Sequence, residues 1–390
     1  MKILYISKNS TDISWDYSMF SSMLRYTMEV DCYGPGYLSK EVLIRGLKSY
    51  LIHNQYEMVI FDTSMLEDST SNKGSLRYKG FESKQYGEII RSIAEDFKTI
   101  SIPKAIKIYA DPWYLSQIEI DEYISFVEKG AYIIGVGSEF IEKVERLNQK
   151  MLSMEKIGKL ANDLYLDFAS SNCSRMISCP IFMFETVFEW SSLNNRENEI
   201  SLIGRLYYPR KVVKKILSEN GIQVCSNDSI KLAMRLLSGL GLKPYNCPEL
   251  VSVYRSSYYE CMKSSKYSFA CGMALRMPLG KFFEIPACGA VMIAYPCKGF
   301  NDLGFINRKN SIEIEPEEIM SAYEYLIQNP SDAQEIATRG QRLVWEKHSA
   351  RARAQQLKSS FEAIIDNNFY GGHWKDGDFV LHSNRRGSQK

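Results

Sequence analysis

Short apolar runs alternate with amphipathic stretches along the first half of the chain. Apolar runs bounded by polar or glycine-containing turns are typical of buried strands, and the stretches between them have helical spacing. The predicted strands of this half are 2–6, 29–33, 58–62, 105–110 and 132–136, with predicted helices at 15–28, 40–53 and 86–97. Strands that alternate with helices predict a parallel sheet covered on both faces.

The same alternation restarts after a polar segment at 191–199. The predicted strands of the second half are 200–203, 222–225, 267–270, 291–294 and 311–314. We therefore predict an α/β chain with two Rossmann-like domains, the first at 1–190 and the second at 191–365. The last segment, 366–390, has no clear pattern and is predicted to be an irregular tail.

One carboxylate stands out in the second half, in the sequence RMPLGKFFEIPACGAVMIAYP at 276–296. Glu284 lies among phenylalanines on a predicted helix, just before an apolar strand. A carboxylate in such a place costs free energy unless another group pairs with it. Gly280 and Gly289 bracket the helix, and Pro286 predicts that it is short or kinked.

The segment FFEIPACGA, followed by an apolar strand, resembles the spore-maturation-type (CgeB-like) branch of the retaining glycosyltransferases with the GT-B architecture. The resemblance covers roughly residues 200–360. Its further matches are Asn329-Pro330, Ile336-Ala337, Gly340 and His348. It implies a GT-B-like fold, in which two Rossmann-like domains face each other across a cleft, and a reaction that retains the anomeric configuration.

This resemblance implies a donor site around Glu284. In a nucleotide-sugar enzyme the two adjacent ribose hydroxyls would each donate to one carboxylate oxygen, and Gly289 would belong to the same donor-binding segment. The alternative is that Glu284 accepts hydrogen bonds from neighbouring backbone amides.

A glycine-containing turn between a predicted strand and a helix offers a second candidate site. Gly204 and Arg205 follow the strand, and Arg210 opens the next helix, where free backbone N–H groups and the helix dipole favour an anion. The cationic side chains match a diphosphate, and Lys281 is a further candidate. The alternative is a solvated basic turn.

Two residues are candidates for the chemistry itself. In many related retaining enzymes two glutamates lie eight positions apart, but the first of these positions here holds Arg276. Its cation would bind a phosphate or the carboxylate of an acidic donor sugar, unless it forms a surface salt bridge. Asp111 follows a predicted parallel strand, where it would contact the acceptor hydroxyl or act as a base. The alternative is that Asp111 only begins a loop.

The composition limits which binding partners and which cellular compartment we expect. The net charge of +2 gives no general attraction to nucleic acid, and nine scattered cysteines favour reduced thiols in the cytoplasm. No metal-ligand spacing is present, so we expect neither a metal nor a cofactor. A basic helix would allow peripheral contact with the inner face of a membrane, or would simply be solvated; its cationic residues are Arg339, Arg342, Lys347, Arg351 and Arg353.

The predicted function is transfer of a sugar from a nucleotide-sugar donor to a glycan or lipid-linked glycan acceptor. The setting that the resemblance implies is surface polysaccharide synthesis. Two alternatives remain, a non-catalytic GT-B module with an assembly role and a nucleotide-sugar epimerase.

Overall fold

Two β-sheets, parallel except for one edge strand of the first, organise the chain in a computed structural model that describes residues 1–9, 17–66, 86–108, 114–154, 161–242 and 244–383. The strands of the first sheet are β1 (Lys2–Ile6), β2 (Glu29–Tyr33), β3 (Met58–Asp62), β4 (Lys104–Lys107), β5 (Tyr132–Gly135), β6 (Met176–Ser178), β12 (Phe369–Lys375) and β13 (Asp378–Ser383). The strands of the second are β7 (Asn198–Ser201), β8 (Val224–Cys225), β9 (Ser265–Cys271), β10 (Val291–Tyr295) and β11 (Ile312–Glu313).

Strand order in both sheets departs from chain order, as crossover connections require. The first sheet runs β13-β12-β6-β5-β4-β3-β1-β2 and the second β11-β10-β9-β7-β8. In register, Ile3 lies opposite Val30 of β2 and Met58 of β3. Every residue of β3 and of β10 is buried, as expected for strands with helices on both faces.

Helices connect and cover these strands. Those before β7 are α1 (Tyr17–Leu24), α2 (Lys40–Ile44), α3 (Leu47–Ile52), α4 (Gly87–Thr99), α5 (Gln117–Glu128), α6 (Gln149–Met154) and α7 (Leu164–Ser171). Those after it are α8 (Tyr208–Glu219), α9 (Asp228–Gly239), α10 (Pro248–Lys263), α11 (Lys281–Ala287), α12 (Ile319–Gln328), α13 (Pro330–His348) and α14 (Ala350–Ile365).

The C-terminal segment differs from the predicted irregular tail. Residues 369–375 and 378–383 form an antiparallel hairpin, and β12 pairs in parallel with β6 of the first sheet. The two turn residues, Asp376 and Gly377, both have positive φ angles of 51° and 87°. An Asp-Gly turn with this backbone matches the twist of a hairpin, so the sequence did contain the signal.

The helix α14 also differs from its predicted place in the second domain. Its buried residues Ala354, Leu357 and Phe361 share one hydrophobic core with Ile3 and Tyr5 of the first sheet. The chain therefore returns to the first domain after α13. The boundary near residue 190 stays a prediction.

The second domain contacts the first through the loop after β10. Lys298 Nζ donates to the carbonyl oxygens of Ser138 and Ile141, at 3.2 and 2.6 Å. Gly299 lies so close to Phe140 that a Cβ there would be 2.4 Å from the ring. A side chain at position 299 would therefore separate the domains at this contact.

One cysteine pair corrects the expectation of reduced thiols. Cys225 and Cys261 are joined in a disulfide, with their Cα atoms 6.1 Å apart, and the other seven cysteines are free. The pair connects β8 to α10. Across the described part of the chain, no helix combines the length and the apolar character that crossing a bilayer would need.

We expect the C-terminal hairpin to be an integral part of the first domain. Trp374 is buried and donates its indole N–H to Ser178 O at 3.3 Å, so Trp374→Ala should lower the free energy of unfolding by about 3–5 kcal/mol. Tyr370→Ala on the same strand removes an aromatic ring that is 54% exposed and should cost less than about 0.5 kcal/mol. Urea denaturation measures both variants, and equal losses would contradict this packing.

Candidate active site

The helix α11 has the local structure that its sequence predicts. It spans only Lys281–Ala287 and contains Pro286, in agreement with a short helix. Gly289 follows with φ of +73°, and a Cβ there would lie 2.5 Å from Glu189 O. Gly289 thus lies at the C-terminal end of the helix, in close contact with the backbone of Glu189, whereas Gly280 lies at the N-terminal end. The donor-binding role of Gly289 stays a prediction.

Glu284 is buried, with 6% of its surface exposed, and its partner is a tyrosine. Tyr258 of α10 donates its hydroxyl to Glu284 Oε2 at 2.5 Å. A Cβ on Gly280 would lie 3.1 Å from the other oxygen, Oε1. Burial and the adjacent carboxylate raise the pKa of Tyr258 well above its usual value, so this hydroxyl keeps its proton. Sequence analysis missed Tyr258, because no local pattern connects α10 to α11.

Three of the predicted donor-binding residues meet at the turn after β7. Gly204 has φ of +97°, and a Cβ there would lie 2.8 Å from Lys281 Nζ and 3.3 Å from Arg210 Nη1. Only glycine leaves room for both cations at this point. Lys281 Nζ also donates to Tyr258 Oη at 3.0 Å, which connects the cations to Glu284.

Lys281 and Arg210 are both shielded from water, and Arg210 also has donor atoms without a hydrogen-bond partner. Burial, followed by the charge of Arg210, lowers the pKa of Lys281 to about 8. Arg210 is 1% exposed and donates Nη1 to Arg205 O at 2.8 Å, but its Nε and Nη2 have no hydrogen-bond partner. A buried donor without an acceptor costs free energy, so an anion bound here would be stabilised.

A cleft of about 630 Å³ opens beside this cluster. Lys231, which sequence analysis missed, lies in its wall and donates to Gly204 O at 3.1 Å. Arg205 is exposed at the same turn and lies over the ring of Tyr207 at 5.5 Å. The remaining lining residues include Leu206, Asp228, Leu232, Arg235, Tyr245 and Tyr254. The cleft combines phosphate-binding chemistry with aromatic and aliphatic walls, as ligand sites commonly do.

Arg276 lies in the loop between β9 and α11 and has a strained backbone, with φ of 50°. Its Nε and Nη2 both donate to Pro296 O at 3.3 Å, and its guanidinium lies 5.5 Å from the centre of the Tyr295 ring. Arg276 therefore does not form the alternative surface salt bridge with any of the described residues. A catalytic role for Arg276 stays a prediction.

Asp111, the second catalytic candidate, lies outside the described residues. Among the described residues, the carboxyl ends of β3 and β4 carry a buried ion pair that sequence analysis missed. Asp62 accepts from Lys107 at 3.2 Å and from Ser64 N at 3.0 Å, and it also accepts from the Tyr5 hydroxyl. Burial alone would raise the pKa of Asp62, but the Lys107 charge and these hydrogen bonds outweigh it and lower the pKa.

Comparison with known proteins agrees with the fold and with part of the predicted class. Residues 229–359, about a third of the chain, match the family described as glycosyl transferase-like. The structure of Anabaena HepE in complex with UDP-glucose is 12% identical, with 93% of this chain and 100% of that chain covered and a TM-score of 0.50. A glycosyltransferase from Rickettsia africae ESF-5 is 10% identical over 94% and 99%, with a TM-score of 0.52.

The fold is thus GT-B, with two Rossmann-like domains, and the fold prediction is confirmed. The segment that matches the glycosyl transferase-like family begins at the second residue of α9 and includes α10, β9 and α11. These elements carry Lys231, Tyr258, Lys281 and Glu284, whereas Gly204 and Arg210 lie before the matched segment. No curated protein sequence matches the chain. The CgeB-like branch stays a prediction.

We expect Tyr258 and Glu284 to depend on each other. Tyr258→Phe leaves the buried carboxylate without its donor and should lower the free energy of unfolding by about 1–3 kcal/mol. In a Glu284→Leu background the same change should cost much less, because no carboxylate then needs a partner. A double-mutant cycle measured by urea denaturation tests this, and additive losses would mean that the hydrogen bond contributes nothing.

Proposed function

We propose that this protein is a glycosyltransferase that uses a nucleotide sugar, with the donor held by its second domain. The observation that carries the proposal is the meeting of Gly204, Arg210 and Lys281 beside the buried Glu284. Cations around a glycine turn suit a diphosphate, and an adjacent carboxylate suits vicinal hydroxyls. Both chemistries occur together in a nucleotide sugar.

In this proposal the diphosphate of the donor lies at the Gly204 turn. Arg210 has two unpartnered donor atoms, and Lys281 carries its positive charge below a pKa of about 8. These groups would stabilise the negative charge that develops as the bond between the anomeric carbon and the phosphate oxygen breaks. The cations of the chain would do this without a metal ion.

Glu284 would then bind the donor ribose through Oε1. Oε2 accepts a hydrogen bond from Tyr258, while Oε1 has no hydrogen-bond partner among the described residues and faces Gly280. We therefore propose one ribose hydroxyl on Glu284, in place of the two-hydroxyl arrangement that the family resemblance implies. One ribose hydroxyl would donate to Oε1, and Tyr258 would hold the carboxylate in place.

The other half of the reaction belongs to the acceptor. Its hydroxyl oxygen forms the new bond to the anomeric carbon and loses its proton to a base, for which Asp111 is the candidate.

Because HepE is a structural neighbour with bound UDP-glucose, we propose a UDP-sugar as the donor. We propose retention at the anomeric carbon and a glycan or lipid-linked glycan acceptor in surface polysaccharide synthesis, on the cytoplasmic side.

A non-catalytic GT-B module remains the second candidate, because Arg276 replaces the first glutamate of the related enzymes. Its guanidinium is held by Pro296 O. Such a module would have an assembly role and would not need to bind a nucleotide. An epimerase, in contrast, would turn over the donor without any acceptor.

Thermal stabilisation by nucleotides tests the donor site. UDP or a UDP-sugar at 100 times its dissociation constant should stabilise the protein by about 2.7 kcal/mol, which appears as a rise in Tm. Glu284→Ala should reduce the shift for UDP, whereas Glu346→Ala, an exposed glutamate on α13, should leave it unchanged. Absence of a shift for every nucleotide would overturn the donor-site proposal and favour the assembly module.

The affinity for UDP should fall as the pH rises through the pKa of Lys281, about 8. Above that pH the unliganded lysine is neutral, so binding must take up a proton and weakens by up to about tenfold per pH unit. Lys281→Arg should keep its charge and lose this dependence. Titration calorimetry between about pH 7 and pH 9 measures both, and identical pH profiles would exclude Lys281 from the phosphate site.

A further inference from the structure

The outer face of α9 carries a row of leucines that no other part of the described structure covers. Leu232, Leu236 and Leu240 follow each other at helical spacing, and Leu242 continues the row beyond the helix end. All four are between 56% and 76% exposed. We call these four residues the leucine ridge.

Such a ridge is unusual for a protein surface in water. Single exposed apolar residues are common, but a contiguous group marks a surface that contacts a partner or a membrane. The four leucines lie within eleven residues of chain, and only Met234 of α9 is buried. The helix therefore turns most of its apolar surface outwards.

The charges around the ridge indicate what covers it. Arg235 is exposed on the same helix and has no acidic partner among the described residues. The one acidic residue of α9 is Asp228, whose carboxylate already pairs with Lys231 and Lys214, at 3.1 and 3.3 Å. The free charge on α9 itself is thus positive, which complements an anionic surface.

A second copy of the chain fits this surface less well. Two copies of α9 packed about a two-fold axis near Leu236 would bring the two Arg235 side chains together. No free carboxylate on the helix would offset that repulsion. The phosphate groups of anionic lipids would instead pair with Arg235 while the leucines enter the apolar layer.

The cations that sequence analysis placed on one basic helix lie on two, α13 and α14, and are less suited to this role. Most of them already have partners within the protein: Arg339 with Glu335, Lys347 with Asp378 and Arg351 with Glu185. Arg353 is 1% exposed and donates to Gln356 and His348. Most of these cations are therefore already paired with other groups of the protein and are less available to lipid phosphates.

We propose that the leucine ridge inserts into the interface of an anionic lipid bilayer, with Arg235 contacting the lipid phosphates. The proposal goes beyond transferase activity, because it rests on exposed residues outside the Glu284 cluster. Leu232, Arg235 and Tyr245 also line the cleft at Gly204, so the bound membrane would lie beside its mouth. A lipid-linked acceptor would then be held in the same bilayer, close to the cleft that takes the donor.

Vesicle co-sedimentation of the full chain tests the proposal. The wild type should sediment with vesicles of phosphatidylcholine mixed with phosphatidylglycerol and much less with phosphatidylcholine alone. The double variant Leu236→Asp, Leu240→Asp should lower the partition coefficient at least about tenfold. Neither residue lines the cleft, so the response to UDP should persist in this variant and report that it is folded.

A matched control uses exposed isoleucines elsewhere. Ile52→Asp, Ile118→Asp introduces the same charges at positions that are 77% and 75% exposed in the first domain, and it should keep wild-type sedimentation. Arg235→Glu should weaken binding to the anionic vesicles only. Equal losses in the ridge and control variants, or no wild-type binding to either vesicle, would overturn the proposal.

Sedimentation equilibrium tests whether a second copy of the chain, and not a lipid surface, covers the leucine ridge. A wild-type dimer that becomes a monomer in the Leu236→Asp, Leu240→Asp variant, without vesicle binding, would assign the ridge to a second copy and refute the lipid proposal. Loss of vesicle binding in that variant with an unchanged UDP response supports it. If the wild type does not bind UDP, the proposed donor site is refuted, but the lipid proposal is not.

Discussion

The buried imidazole of His348 joins the elements on which the domain arrangement depends. Its Nε2 lies 2.8 Å from Leu303 O and its Nδ1 lies 3.1 Å from Arg353 Nη2. Burial and the charge of Arg353 lower the pKa of His348 to about 3, so the ring is neutral at physiological pH. A neutral ring can donate from one nitrogen and accept at the other, and both bonds require that state.

The same ring connects the C-terminal hairpin to the helix that carries the candidate site. The centres of the Trp374 and Phe283 rings lie 4.6 and 5.0 Å from that of His348. Phe283 directly precedes Glu284 on α11. Packing of the return helix α14 and of β12 against the first sheet therefore extends, through these two ring contacts, to the residue before Glu284.

The candidate site is built from charges that stabilise one another only in part. Tyr258 satisfies one oxygen of Glu284, but Arg210 keeps two donor atoms unsatisfied and Lys281 has its pKa lowered to about 8. Such an arrangement costs stability in the free protein. An anion at the Gly204 turn would remove much of that cost, because it supplies the missing acceptors and a compensating charge. The free-energy cost of an incomplete cluster is thus consistent with a site shaped for a phosphate.

Local patterns in the sequence determined the parallel sheets, the short helix around Glu284 and the glycine turn at Gly204. Burial of whole strands and the backbone demands of glycine and proline depend mainly on residues close together in the chain. The tertiary structure alone decided that Tyr258 is the partner of Glu284, that Lys281 meets Arg210 at Gly204, and that α14 returns to the first sheet. These contacts join residues distant in sequence, and their energies depend on burial and distance, which no local pattern contains.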